Sequence, residues 1–274
     1  RCQQAWLRHF PPWWGDSSPF IERNHMMRIL VVNCNTSADV THTIDVGARA
    51  AASSGTEIVT VQPTWGPASA EGYLESFITA AAVIDVISRQ KDFDAVVMAG
   101  YGEHGREGVR QLVDVPVVDV TEASAYVASL LSERFAVVTT VASTIPGIRQ
   151  SLEAMGMTTR CAAVAATATP VLSIHADADA AVDALADASA PLLEKGADSI
   201  VLGCAGFAGL DAVLEQRLGV PVIDGVSSAV VMAESLVRLG KFTSKRGAFA
   251  PISTGKQWVG WSPFPDRGRD GVAR

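Results

Sequence analysis

No run in this chain approaches the ~20 apolar residues that a membrane span requires, because charges and glycines interrupt every hydrophobic stretch. Basic clusters are missing too, and 22 Lys and Arg against 29 Asp and Glu leave a net charge of −7. Both absences argue against an anionic membrane surface or nucleic acid as partner. The four cysteines, Cys2, Cys34, Cys161 and Cys204, form no C-x-x-C pair and lack the histidine spacing of a zinc site. They read as free thiols of a reducing, cytoplasmic compartment, with no metal among the expected ligands. No nicotinamide, flavin or pyridoxal requirement is legible, so no cofactor is expected. A glycine spacing of the phosphate-binding kind, Gly100-Tyr101-Gly102-Glu103-His104-Gly105, is present only formally. No lysine follows it, and Glu103 would repel a phosphate.

What remains is a chain able to fill real cores: 274 residues, 48 % hydrophobic and only 19 % charged. Residues 1–26 stand apart, with three of the six tryptophans and Pro11-Pro12 but no lasting apolar period. They also lack the apolar core and cleavage site of a signal peptide, and read as a disordered extension or tag. The stretch 246–274, rich in Gly, Pro and Arg, reads as a loosely packed tail.

Between these ends, strand-turn-helix units repeat. Strands are expected at 28–32, 57–61, 96–99, 117–120, 135–140, 161–165, 199–203 and 222–223. Helices are expected from Thr36 or Ser37 to about 52, and at 69–90, 145–155, 177–195, 210–217 and 227–239. The order implies an α/β fold with parallel sheets. Two segments within it read almost alike: Asp94–Gly102 and Asp198–Gly206 both run from an apolar strand into a small-residue turn, and each is followed by a Val-Pro pair, at Pro116 and Pro221. This internal repeat implies two pseudo-symmetric Rossmann-like lobes. The first spans 27–130 and is completed by the C-terminal helix; the second spans 131–245.

Ligands of such sheets bind beyond the carboxyl ends of the strands, and polar turns gather there. Cys204 follows a buried strand and precedes Ala205-Gly206, where backbone N–H groups favour thiolate and can hold an enolate oxygen. The matching place in the other half is Gly100, with Tyr101 and Gly102 beyond it. His104 is either an acid/base near neutrality or, more simply, a solvated turn residue. Asn33, Asn35, Thr139 and Thr140 offer neutral donors, though Thr36 and its neighbours also suit helix capping. Cys34 is either a second thiol of the cleft or a half-buried bystander. Cys161 reads as a small core residue.

The segments Met27–Ser37, Gly66–Gly72, Ser199–Gly206 and Gly219–Asp224 resemble the aspartate/glutamate racemase superfamily, within it the hydantoin racemase branch. The resemblance covers about residues 27–250. It implies an active site in the cleft between two lobes, no cofactor, and one cysteine per lobe passing protons to opposite faces of an acidic carbon. The substrate would be a small molecule such as a hydantoin, a ureide or an amino-acid derivative, and the protein a possible homo-oligomer. Two departures stand out. The first cysteine of an Ala-Cys-Phe-Gly-type turn is Gly100 here, and an Asn-Pro-Asn loop reads Asn33-Cys34-Asn35. A lone cysteine facing glycine is also the pattern of the related arylmalonate decarboxylases, so a single-cysteine decarboxylase is the alternative. A catalytically impaired binding protein is the third reading.

Overall fold

The short β-branched runs and the helical stretches between them resolve into eight strands and eight α-helices in the computed structural model, which describes residues 26–252. The expected N-terminal extension, Cys2 and the end of the tail lie outside the described residues. The first half contains β1 (Met27–Asn33), α1 (Ala38–Ala51), β2 (Thr56–Val61), α2 (Tyr73–Ser88), β3 (Ala95–Ala99), α3 (Arg106–Leu112), β4 (Val117–Asp119) and α4 (Val120–Leu131). The second contains β5 (Phe135–Thr139), α5 (Ile145–Ala154), β6 (Cys161–Ala166), α6 (Ala178–Glu194), β7 (Ser199–Leu202), α7 (Asp211–Leu218), β8 (Val222–Ile223) and α8 (Gly225–Arg238). Two four-stranded sheets result, ordered β2-β1-β3-β4 and β6-β5-β7-β8. Every strand pair is parallel. The identical order in both sheets is the repeat seen in the sequence, and it fixes the α/β two-lobe architecture.

Local chemistry sets the element boundaries. Of the two candidate caps for α1, Ser37 is the one used: its Oγ accepts the Val40 N–H, whereas Thr36 Oγ1 donates to the Pro67 carbonyl. The helix expected from Ser69 starts only at Tyr73. Residues before it stay in a loop, where the Glu71 N–H donates to the Glu75 carboxylate. The strand expected to reach Val120 ends at Asp119, whose carboxylate accepts the Thr121 and Glu122 N–H groups and so opens α4. Sequence reading assigned no helix to this segment. Asp224 does the same for α8, accepting from Val226 and Ser227.

These two capped helices exchange lobes. Val226, Ala229, Val230 and Ala233 of α8 pack in one core with Ile29, Val31 and Val97 of the first sheet. Ala125 and Ala128 of α4 pack with Phe135, Val137 and Val201 of the second. The helices start against each other: a Cβ on Gly225 would lie 3.0 Å from the Val120 carbonyl oxygen. Glu234 ties α8 down further by accepting from Ser53 N, Ser53 Oγ and Thr56 Oγ1 at 2.8, 2.7 and 2.5 Å. Beyond α8 the chain runs along the first lobe. The Thr243 N–H donates to Asp114 O, and Lys245 Nζ reaches the carbonyls of Arg110, Gln111 and Val113 at the end of α3.

Register decides what meets at the strand ends. Asn33 of β1 pairs with Ala99 of β3, and Val138 of β5 with Leu202 of β7. The residues beyond therefore emerge side by side: Cys34 beside Gly100, one position on, in one lobe, and Thr140 beside Cys204, two positions on, in the other.

Candidate active site

Both sets of strand ends open onto one cavity of about 420 Å³, part of it open to solvent. The first lobe contributes Asn33, Cys34, Asn35, Gly100, Tyr101 and His104. The second contributes Thr139, Thr140, Thr144, Cys204, Ala205 and Gly206. The loop before α2 and the turn at Val171 close its sides, joined where the Val171 N–H donates to Glu71 Oε1 at 2.7 Å. Among the described residues, no Lys, Arg, Asp or Glu lines the cavity. Among the described residues, no group of three or more His, Cys, Asp or Glu is placed to hold a metal ion, and no helix is long and apolar enough to cross a membrane.

Cys204 caps a three-residue 3-10 turn, Ala205–Phe207, and its sulfur accepts the Gly206 N–H at 3.4 Å. The expectation of a lowered thiol pKa fails here. Burial outweighs the single N–H contact, the turn is too short to bring a helix dipole, and the Glu71 charge opposes ionisation, so the thiol is pushed up to about 11. Cys34 is pushed up to about 12, first by burial and then by the charge Cys204 would carry. Both thiols line the one cavity, Cys34 from the first lobe and Cys204 from the second.

Gly100 has no room for a side chain. A Cβ there would lie 2.6 Å from Cys34 Cβ, 2.6 Å from His104 Cδ2 and 3.0 Å from Cys34 Sγ. Cys34 thus fills the space that a residue-100 side chain would need. His104 is not the solvated turn residue the sequence suggested; it is 4 % exposed. Burial holds its pKa down to about 4, so the ring is neutral. Its Nε2 lies 3.2 Å from the Tyr101 carbonyl and must be the protonated nitrogen, which leaves Nδ1 an acceptor without a protein partner among the described residues.

The remaining expected residues divide between scaffold and lining. Gly102 lies outside this cavity, in an adjoining hollow, and its N–H is already committed to Thr121 Oγ1 at 2.8 Å, so it is not a free donor. Tyr101 turns its hydroxyl to Ser124. Asn33 organises its own turn, with Nδ2 donating to Asn35 Oδ1 and Thr41 Oγ1. Thr139 donates to the Gly203 carbonyl. Among the described residues, the Thr140 hydroxyl and Asn35 Nδ2 carry no such commitment. Glu103 turns away to cap α3, accepting from Gly105 and Arg106. Cys161 sits apart on β6 and donates to Ala163 O. Sequence reading missed Glu71 as the link between the lobes; its one signal was the Gly-Pro-Ala-Ser-Ala-Glu-Gly segment at 66–72, with no pattern to say where it would reach.

Comparison with known proteins agrees with this arrangement. The family model described as Asp/Glu/Hydantoin racemase matches residues 29–233. A hydantoin racemase of Pseudomonas sp. (strain NS671) is 39 % identical over 222 residues, covering 80 % of this chain and 89 % of its own. The crystal structure of an allantoin racemase from Pseudomonas fluorescens superposes with a TM-score of 0.83 at 50 % identity, covering 85 % of this chain and 100 % of that one. An allantoin racemase from Klebsiella pneumoniae gives the same TM-score at 39 % identity, covering 87 % and 99 %. With its paired parallel sheets and thiol-lined cleft, the chain belongs to the Asp/Glu/hydantoin racemase family and is an isomerase of the racemase class.

Proposed function

We propose that this protein interconverts the enantiomers of a 5-substituted hydantoin, with allantoin as the first substrate to test, by moving a proton at C5 with Cys204. The observation that carries the reading is the uncharged, thiol-containing lining of the cleft. A free amino acid would bring a carboxylate and an ammonium group that need charged or multiply bonded partners when desolvated. A hydantoin is neutral at pH 7 and presents carbonyl oxygens and N–H groups. The Thr140 hydroxyl and Asn35 Nδ2 suit its oxygens, and the unpaired His104 Nδ1 suits an N–H.

Removing the C5 proton places the electron pair on the oxygen of the adjacent C4 carbonyl, where neutral donors in a dry site stabilise it. A thiol whose pKa lies near 11 makes a thiolate basic enough to approach such a carbon acid, at the cost of being scarce at pH 7. Each single enantiomer of allantoin should lose its circular dichroism with the wild-type protein and keep it with Cys204→Ala. Retained racemisation in Cys204→Ala would remove this thiol from the reaction. Release of CO₂ from an arylmalonate, with allantoin untouched, would instead favour the single-cysteine decarboxylase that the glycine at position 100 suggests.

A further inference from the structure

Inverting a carbon centre takes a proton from one face and returns one to the other, so two carriers on opposite walls are the simplest machinery. Gly100 cannot carry a proton, and its place on the first-lobe wall is occupied. We infer that Cys34 is the second catalytic thiol of this cleft, the β1 end supplying from one residue position what the β3 end lacks. This rests on the racemase reading above and goes beyond it by assigning the opposite face.

Three observations carry the inference. The β1/β3 register brings residue 34 directly beside residue 100. The Cys34 sulfur lies 3.0 Å from where a Cβ on residue 100 would stand, so the thiol occupies that side chain's own space. Cys34 and Cys204 line the same cavity from different lobes, and neither is sealed in packed hydrocarbon, since both keep partial exposure. The second lobe shows the same strand pair with its thiol on the other member: Thr140 on the β5 side and Cys204 on the β7 side. Tyr101 also lines the cavity, but its hydroxyl is bonded to Ser124 and burial pushes its pKa above the ordinary phenol value. His104 is the other titratable side chain of the lining, and it is a poor rival. Its ring is neutral, its Nε2–H is committed to Tyr101 O, and an imidazolium with a pKa near 4 is absent at neutral pH.

The step balances without a co-reactant. The thiolate of one cysteine takes the C5 proton: an S–H bond forms, the C5–H bond breaks and its electron pair moves onto the C4 carbonyl oxygen. The other cysteine's S–H bond then breaks as a new C5–H bond forms on the opposite face, leaving the second sulfur as thiolate. The reverse reaction, or proton exchange with water, resets the pair.

The test is proton exchange in D₂O, followed by NMR and chiral chromatography, with each enantiomer of allantoin and of 5-benzylhydantoin. Cys34→Ala and Cys34→Ser, shown to be folded by thermal unfolding, should lose racemisation by about 10³-fold. Each should still wash deuterium into one enantiomer only, with retention. Cys204→Ser should show the same behaviour with the other enantiomer. Racemisation by Cys34→Ala within about threefold of wild type would overturn the assignment, as would loss of exchange from both enantiomers in a folded Cys34 variant. A wild-type protein inert to all four compounds would refute the substrate reading alone. The pairing is then judged without turnover by 1,3-dibromoacetone, which loses two HBr as it links two sulfurs. A linked Cys34–Cys204 peptide by mass spectrometry supports the pair; alkylation at one sulfur only overturns it.

Discussion

At the scale of single residues, the cleft is governed by who occupies a few cubic ångströms beside Gly100. Introducing Gly100→Cys, which family resemblance alone would make attractive, places a Cβ 2.6 Å from two side-chain carbons. One of them is Cys34 Cβ, which moves only if its backbone moves. The variant should be destabilised by about 1–3 kcal/mol, seen as a lower midpoint in urea; an unchanged midpoint would show that the Asn33–Asn35 turn yields freely. The thiol pKa values predict the pH dependence. Both lie above neutrality, at about 11 and about 12, so at pH 7 the pair is almost wholly protonated. The proposed two-thiol mechanism needs one thiolate and one thiol, and each step up in pH adds thiolate without yet depleting the partner. Between pH 7 and 9, kcat/KM for racemisation should therefore rise about tenfold per pH unit. A flat profile would mean that the reacting group is already ionised at pH 7. Both thiols are visible in the sequence, but their meeting in one cavity is not. It depends on the residue 33 to residue 99 register, which no local pattern reveals, and so Cys34 passes for a bystander.

At the scale of elements, the strands are legible because they are short apolar runs, and the central ones, β1, β3, β5 and β7, are buried along almost their whole length. The boundaries are not, because they are set by capping. Val117–Val120 looks like one apolar run, yet the Asp119 carboxylate stops it and turns Val120 into the first residue of α4. Asp224 plays the matching part for α8, where it accepts from Val226 N, Ser227 N and Ser227 Oγ. Asp224→Ala should cost about 1–2 kcal/mol of stability, read from thermal or urea unfolding. Asp224→Asn should recover much of it, since the amide oxygen can still accept. Equal losses in both variants would point to the charge of Asp224 rather than its capping bonds.

At the scale of the whole molecule, the repeat gives two sheets of one design, and the exchange of α4 and α8 binds them into a frame around the cleft. The duplication could be read from Asp94–Gly102 against Asp198–Gly206 because strand and turn must recur together for a lobe to recur. The helix exchange could not, since it concerns which sheet an amphipathic face chooses, and either sheet offers an apolar surface. The burial of His104 was hidden for the same reason: the loop before α2 that borders it is joined to the second lobe through Glu71 and Val171, a contact 100 residues apart in the chain.

In the mechanism we propose, the frame sets a proton carrier on either side of a flat ring. The most direct test is early-time turnover of one allantoin enantiomer by the wild-type protein in D₂O. Two opposed thiols predict that each newly formed product molecule carries deuterium at C5 while the remaining substrate is still protonated. Deuterium entering substrate and product at equal rates would show a single carrier serving both faces, and would contradict this account.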